Sequence, residues 1–173
     1  GRRFDVAVPF TTKQTDHMQL TEIITPSRVL ANLEGGSKKR VLELASEFIA
    51  HESELDSEDV YQGLIDRERL GSTGIGYGVA IPHCRLPELG EADTRGYLIQ
   101  LNQGVDFDAI DSQPVELLFI LLVPQSTNQV HLNLLAQLAD CFAKDQFRHD
   151  LQMATTTDEL FETAMATFRT EPA

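Results

Sequence analysis

Apolar side chains recur at helical spacing in several stretches of the chain. Residues 41–49 place five of them on one face, and Ser37 precedes this stretch as a candidate N-cap. The same spacing predicts a second helix from Ser57 to about Leu70, which Gly71 ends. A short helical turn is expected near residues 20–24, and three further helices are predicted at residues 129–144, 147–153 and 157–168.

Three shorter stretches have the pattern of strands. Residues 79–81 are a brief apolar run, and residues 96–103 alternate along the chain. Residues 115–123 are almost all apolar, which is typical of a central strand buried on both faces, and Pro124 ends the run. Helices interspersed with strands predict an α/β fold: a single layered domain with a small mixed β-sheet flanked by helices.

The first 17 residues lack this organisation. They show no sustained periodicity, and His17-Met18 resembles a junction at which a natural chain begins. We therefore expect residues 1–17 to be an added leader or a disordered natural extension, and we place the domain itself at residues 18–170.

The balance of charge narrows the classes of partner. The formal net charge is -13, which argues against nucleic acid and against an anionic membrane surface, and is compatible with a basic protein partner. No apolar run approaches the ~18 residues of a membrane span, and no secretory signal is visible. Two cysteines, Cys84 and Cys141, are too few for a disulfide framework. A cytoplasmic protein without membrane insertion is the expectation.

Residues 71–83, GSTGIGYGVAIPH, stand apart from the rest. Four glycines in eight residues predict a loop whose backbone N–H groups can approach an anion closely. The segment ends on Pro82 and His83, and imidazole is well suited to accept and release a group near neutral pH. The lysine of a P-loop is missing, and the helix–loop–strand order is the reverse of the dinucleotide motif. A nucleotide cofactor is therefore not expected.

Further candidates lie on either side of this segment. Arg67 and Arg69 close the second predicted helix, where a guanidinium can neutralise phosphoryl oxygens, although Arg69 better fits a cation at a helix end. His131 opens the helix that follows the apolar strand. Cys84 adjoins His83, but neighbours on an extended backbone point to opposite sides, so no metal site is expected. The other histidines are expected at the surface: His17, His51 and His149.

The stretch GSTGIGYGVAIPHCR resembles the active-site signature of enzyme IIA proteins of the fructose/mannitol/nitrogen-regulatory class, from the bacterial phosphotransferase system. The resemblance extends over nearly all of residues 18–168. Segments at residues 36–40, 66–70, 107–111 and 114–119 are also similar, and the last two are most like the nitrogen-regulatory branch.

The resemblance implies the mannitol/fructose-type IIA fold and a histidine phosphotransferase component. His83 matches the signature histidine, which family members phosphorylate on the ring nitrogen remote from the backbone, giving a tele-phosphohistidine. Arg67 and His131 match the family's arginine and second histidine, and the phosphoryl donor is an HPr-like phosphocarrier protein. The glycine segment adds three candidates for holding the phosphate: Ser72, Thr73 and Gly74.

Three functions remain open at this point. The chain is a regulatory IIA protein of the nitrogen branch that controls target proteins by its phosphorylation state, or a sugar-specific IIA component that passes phosphate to a IIB domain. The third is a binding module that no longer transfers phosphate. The segment at residues 107–119 favours the first, as does our expectation that no IIB or IIC domain accompanies the chain.

Overall fold

A mixed sheet lies between two layers of helices in the computed structural model, which describes residues 18–126 and 129–172. The six strands of the described part are β1 (Val29–Leu33), β2 (Gly74–Gly76), β3 (Val79–Ala80), β4 (His83–Leu86), β5 (Arg95–Val105) and β6 (Val115–Pro124). The α-helices are α1 (Lys38–Glu52), α2 (Ser57–Leu70), α3 (Gln129–Phe142), α4 (Asp145–Met153) and α5 (Thr157–Phe168), and short 3-10 turns cover Leu20–Glu22 and Pro26–Arg28.

Strand β6 organises the sheet. The strand order is β1-β5-β6-β3-β2, and β4 also pairs with β6. β5 runs antiparallel to β6, whereas β3 and β4 run parallel to it, one after the other along the same side. The register sets His83 opposite Leu121 and Arg85 opposite Val123. The short strand β4 therefore begins at His83, beside a strand in which nine of the ten residues are buried.

Both faces of β6 are buried, which confirms the prediction of a central strand. Leu121 and its neighbours at alternate positions pack towards α3, α4 and α5, while Leu122 and its alternate neighbours pack towards α1 and α2. A fully buried side chain of this size stabilises the fold by about 1.5–3 kcal/mol. The sheet is therefore well packed on both faces, and it holds the residues at the ends of its strands in place.

The helix predictions are confirmed to within about two residues. Ser37 caps α1, because its Oγ accepts a hydrogen bond of 3.1 Å from the backbone N–H of Arg40. Helix α2 spans Ser57–Leu70 and ends at Gly71, as predicted. Its N-cap is Asp56, whose carboxylate accepts a hydrogen bond of 3.2 Å from the backbone N–H of Asp59.

The prediction of a loop at residues 71–78 is wrong in part. Strands β2 and β3 form an antiparallel hairpin, and its turn has positive φ at Gly76 (96°), Tyr77 (59°) and Gly78 (78°). The backbone N–H of Tyr77 donates to Asp111 at 2.9 Å, which holds this turn. The glycines here supply left-handed backbone conformations for a tight turn, and they do not form an open anion-binding loop.

Strands β1 and β4 were not predicted, because each has only four or five residues and pairs with a strand distant in the chain. The predicted leader at residues 1–17, with His17, lies outside the described residues. Within the part of the chain that the structure describes, the helices are too short or too polar to cross a membrane.

Candidate active site at the edge of the sheet

Helices α2 and α3 approach strand β4 and leave a cleft of about 390 Å³ between them. Gly63 allows the close approach of α2, since a Cβ there would lie 2.8 Å from the Sγ of Cys84. Positions 63, 67 and 70 fall on one face of α2, which brings Arg67 to the cleft one turn after the glycine. The cleft is lined by Gly63, Asp66, Arg67, Leu70, His83, Cys84, Arg85 and His131.

His83 is held in one tautomer. Its Nδ1 lies 2.7 Å from the carbonyl oxygen of Ile81, and a carbonyl only accepts, so Nδ1 carries the proton and Nε2 carries the lone pair. Burial lowers the pKa of His83; the positive charge of Arg67 lowers it too, while the Ile81 carbonyl and the Glu68 carboxylate act in the opposite direction. The net shift is downward, which keeps the ring neutral and nucleophilic near pH 7.

His131, in the first turn of α3, lies edge-on to His83. The two ring centroids are 5.1 Å apart, and the ring planes meet at 72°. Burial lowers the pKa of His131 to about 4, and the charges of His83, Arg85 and Arg67 add to the shift. Its Nε2 is buried and has no hydrogen-bond partner among the described residues. A buried polar atom without a partner is uncommon in native proteins and needs an explanation, such as a catalytic role or a bound water or ion.

Arginines flank the cleft on two sides. Arg67 donates from Nη1 to the carbonyl oxygen of Gly71 at 2.8 Å, which anchors its guanidinium at the end of α2. This bond uses one of the five N–H groups of a guanidinium. Arg85 also lines the cleft, although it was not predicted as a site residue. It lies two residues after His83 on β4, and alternate residues of a strand point to the same side, so recognition of this strand would have indicated Arg85. Arg69 instead pairs with Asp66 at the surface, at 3.3 Å, as its place at a helix end suggested.

The predicted phosphate-holding residues do not line the cleft. The backbone N–H and the hydroxyl of Thr73 donate to the carboxylate of Glu68 at 3.0 and 2.7 Å. The hydroxyl of Ser72 donates to the carbonyl of Phe107 at 2.6 Å and accepts from the backbone N–H of Gly74 at 3.0 Å. These donors fasten the hairpin to α2 and to the loop at residue 107, so the structure brings together the two histidines and Arg67 without them.

Cys84 does not act with His83 as a pair. It is buried against α2, and burial raises the pKa of its thiol to about 12, so the sulfur stays protonated and is a poor metal ligand or nucleophile. Over residues 18–126 and 129–172, no group of three or more His, Cys, Asp or Glu side chains is placed to hold a metal ion. His51 and His149 lie at the surface, as predicted.

Fold and site together define a class of protein. The sequence matches the family described as "Phosphoenolpyruvate-dependent sugar phosphotransferase system, EIIA 2" over residues 22–164, so this protein belongs to that family. The resemblance inferred from the signature at residues 71–85 is thereby confirmed.

Within the family, the chain is similar to nitrogen regulatory proteins. It is 44% identical to the nitrogen regulatory protein of Pseudomonas aeruginosa over 146 residues, which cover 84% of this chain and 94% of the relative. The crystal structure of nitrogen regulatory protein IIA-Ntr from Neisseria meningitidis superimposes with a TM-score of 0.76 at 40% identity, covering 82% of this chain and 96% of that one.

The fold also extends to sugar-specific members. The crystal structure of IIA mannitol from Escherichia coli matches with a TM-score of 0.66 at 21% identity, covering 81% of this chain and 97% of that one. At this identity the likeness shows the fold alone, and it confirms the predicted mannitol-type α/β architecture.

Proposed function

We propose that this IIA protein accepts a phosphoryl group on Nε2 of His83 from an HPr-like phosphocarrier protein, and that it regulates target proteins according to its phosphorylation state. The observation that carries the proposal is the hydrogen bond of 2.7 Å between His83 Nδ1 and the Ile81 carbonyl, which leaves the lone pair on Nε2. His83 lines the same cleft as Arg67 and His131. Membership of a phosphotransferase family supports a cytoplasmic exchange between protein partners.

Transfer requires little of the protein beyond position and charge. The lone pair on His83 Nε2 forms a bond to phosphorus while the phosphorus–nitrogen bond of the carrier's phosphohistidine breaks, and that electron pair returns to the carrier's ring. Negative charge on the three phosphoryl oxygens is offset by Arg67, whose forked donors suit them. His131 donates a hydrogen bond to one oxygen, which would give its buried ring nitrogen a partner.

Phosphorylation would change the character of the cleft. A phosphoryl group adds roughly two negative charges, and it would arrive in the cleft that Arg67 and Arg85 both line. Two apolar side chains here are exposed: Leu70, which lines the cleft, is 84% exposed, and Leu132, which follows His131 in the chain, is 62% exposed. Exposed apolar side chains close to a switchable charge support docking of protein partners that distinguish the two states.

The test is a labelling experiment with a purified phosphorylated HPr-like carrier. We expect the wild-type protein to take up one phosphoryl group, labile in acid and stable in base as a phosphohistidine is. His83→Ala should remain unlabelled, whereas His149→Ala, altered at an exposed histidine of α4, should label like the wild type. An unlabelled wild-type protein, or a labelled His83→Ala, would overturn the proposal.

The labelled protein also separates regulation from sugar transport. Identity of 44% to a nitrogen regulatory protein, against 21% to IIA mannitol, favours regulation. We therefore expect the phosphoryl group to persist when a fructose- or mannitol-type IIB domain is added. Rapid passage of the phosphoryl group to such a domain would favour the sugar-specific alternative. A pull-down in which the phosphorylated and unphosphorylated proteins capture the same partners equally well would exclude regulation by phosphorylation state.

A further inference from the structure

A buried carboxylate lies directly beside the cleft without lining it. The side chain of Glu68, next to Arg67 in the last turn of α2, is only 2% exposed. The negative end of a helix disfavours an acidic side chain, and burial of a charge is costly unless it is fully paired. A carboxylate at this position therefore has to be paired by several donors.

The partners of Glu68 connect it to the hairpin and to α1. One carboxylate oxygen accepts from the Thr73 hydroxyl at 2.7 Å, and the other accepts from the Thr73 backbone N–H at 3.0 Å and from the Lys38 ammonium at 3.0 Å. Lys38 also reaches the exposed carboxylate of Asp108, at 3.3 Å. Thr73 is therefore held by two bonds to a single charged group.

From Thr73 a chain of backbone hydrogen bonds leads to His83. The carbonyl of Thr73 accepts from the N–H of Ile81 at 3.0 Å. The carbonyl of the same Ile81 accepts from Nδ1 of His83 at 2.7 Å. Each bond fixes the residue that makes the next, so the orientation of the imidazole depends on where Glu68 holds Thr73.

We propose that Glu68 is a positioning residue for His83. Acting through Thr73 and Ile81, Glu68 keeps the proton of the imidazole on Nδ1 and the lone pair on Nε2. Its effect on phosphoryl transfer rests on the proposed function above; its effect on the imidazole does not. When Nε2 binds phosphorus, positive charge grows on the ring, so the bond from Nδ1–H to the Ile81 carbonyl strengthens during the reaction. The negative charge of Glu68 acts on the ring in the same sense.

The direct test is nitrogen NMR of the imidazole of His83 in protein labelled with ¹⁵N-histidine, at a pH where the ring is neutral. The wild-type ring should show a protonated Nδ1 and an unprotonated Nε2. In Glu68→Ala we expect a mixture of tautomers, because Thr73 and with it Ile81 lose their anchor. Thr73→Val, which removes the hydroxyl but keeps the backbone N–H, should give a smaller admixture.

The matched control is Gln100→Leu. Gln100 is also buried and also makes several hydrogen bonds, but it lies towards the other end of β6. Gln100→Leu should therefore lower stability without altering the tautomer of His83. If it shifts the tautomer as much as Glu68→Ala does, the effect is general loosening and the proposal is wrong.

Transfer kinetics complete the test. Misplacing a reacting group by about 1 Å slows a reaction by roughly 100-fold, and we expect a loss of this order for Glu68→Ala with labelling by the phosphorylated carrier. Glu68→Gln, which keeps the shape and one acceptor for Thr73, should recover part of the rate and part of the wild-type tautomer. If Glu68→Ala does not fold, Glu68→Gln and Thr73→Val decide by the same spectra.

The two failures are distinguishable. A wild-type protein that takes no label overturns the proposed function, yet its NMR spectrum still tests the role of Glu68. A single wild-type tautomer in folded Glu68→Ala, or in both conservative variants if that one is unfolded, overturns the role of Glu68 and leaves the proposed function standing.

Discussion

Two buried polar clusters lie along strand β6 and use their hydrogen bonds differently. Towards one end, opposite Leu117, the amide of Gln100 donates to the carbonyls of Leu151 at 2.9 Å and Ala154 at 2.7 Å, and its oxygen accepts from the N–H of Asn32 at 3.0 Å. Towards the other end, opposite Leu121, His83 makes one bond to the backbone, and Nε2 of its neighbour His131 has no partner among the described residues.

The difference distinguishes polar groups that stabilise the fold from polar groups that remain available for chemistry. Gln100 has both sides of its amide engaged, so it joins β1, β5 and the end of α4 and offers nothing to a ligand. The histidine cluster stays incomplete, and its depressed pKa values keep both rings neutral near pH 7. Fully satisfied buried networks specify a fold, whereas unsatisfied groups beside a cleft need an explanation in function.

Removal of Arg67 should give the largest change in rate after loss of His83 itself. Loss of one donor that stabilises transition-state charge slows a reaction by roughly 100- to 1,000-fold. We expect this loss in phosphoryl transfer to Arg67→Ala, with little change in stability because the bond from Arg67 to Gly71 is exposed. Labelling by the phosphorylated carrier, quenched at successive times, measures the rate of transfer. Arg69→Ala is the matched control on the same helix end, and an equal loss there would mean that general charge is responsible.

Gln100→Leu should have the converse effect. The substitution leaves the backbone groups of Asn32, Leu151 and Ala154 without their partner. We expect unfolding in denaturant to show a loss of about 2–6 kcal/mol, since the carbonyls of Leu151 and Ala154 are buried and each unsatisfied buried group costs about 1–3 kcal/mol. The rate of labelling of the folded protein should stay at the wild-type value. A slowed rate with unchanged stability would contradict the division between the two clusters.

His131→Ala should have an intermediate effect on transfer. A hydrogen bond to a charged group contributes about 1.5–3 kcal/mol, which corresponds to a rate loss of roughly 10- to 100-fold. Stability should change little, because the buried Nε2 has no partner to lose. His131→Gln keeps an N–H donor and should recover part of the rate, while His51→Ala, at an exposed position of α1, should leave it unchanged.

The smallest expected effect concerns stability against pH. Burial lowers the folded-state pKa of His131 to about 4, below its usual value of 6.5, so between these values the unfolded chain binds more protons. The contribution of this group is fully present above pH 6.5 and is lost as the pH falls towards 4. Denaturant unfolding at about pH 7.5 and about pH 5 should show a smaller acid loss for His131→Ala than for the wild type. Equal losses would mean that other titrating groups, such as His83 and the carboxylates, are responsible.

Much of the fold could be predicted because its signals are local. The spacing of apolar residues defines α1, α2 and the buried strand β6, and Ser37 and Gly71 mark helix ends through their own backbone preferences. Strands β1 and β4 escaped prediction because their pairing with β5 and β6 depends on residues distant in the chain. The hairpin was not predicted for another reason. Alternating glycines are compatible with both an open loop and a turn of positive φ, and the hydrogen bond from the Tyr77 N–H to Asp111 favours the turn.

Local patterns predict the helices, the central strand, and the candidate residues His83, Arg67 and His131, because motifs and periodicity can be read along the chain. The arrangement of these residues around one cleft comes from the fold. The register of β4 against β6 sets His83 beside the start of α3, and the close approach at Gly63 brings the end of α2 to the same cleft. In the folded protein the hydroxyls of Ser72 and Thr73 donate to Phe107 and to the buried carboxylate of Glu68, so they are not available to a ligand in the cleft. Such choices arise from packing between distant segments, which no local pattern encodes.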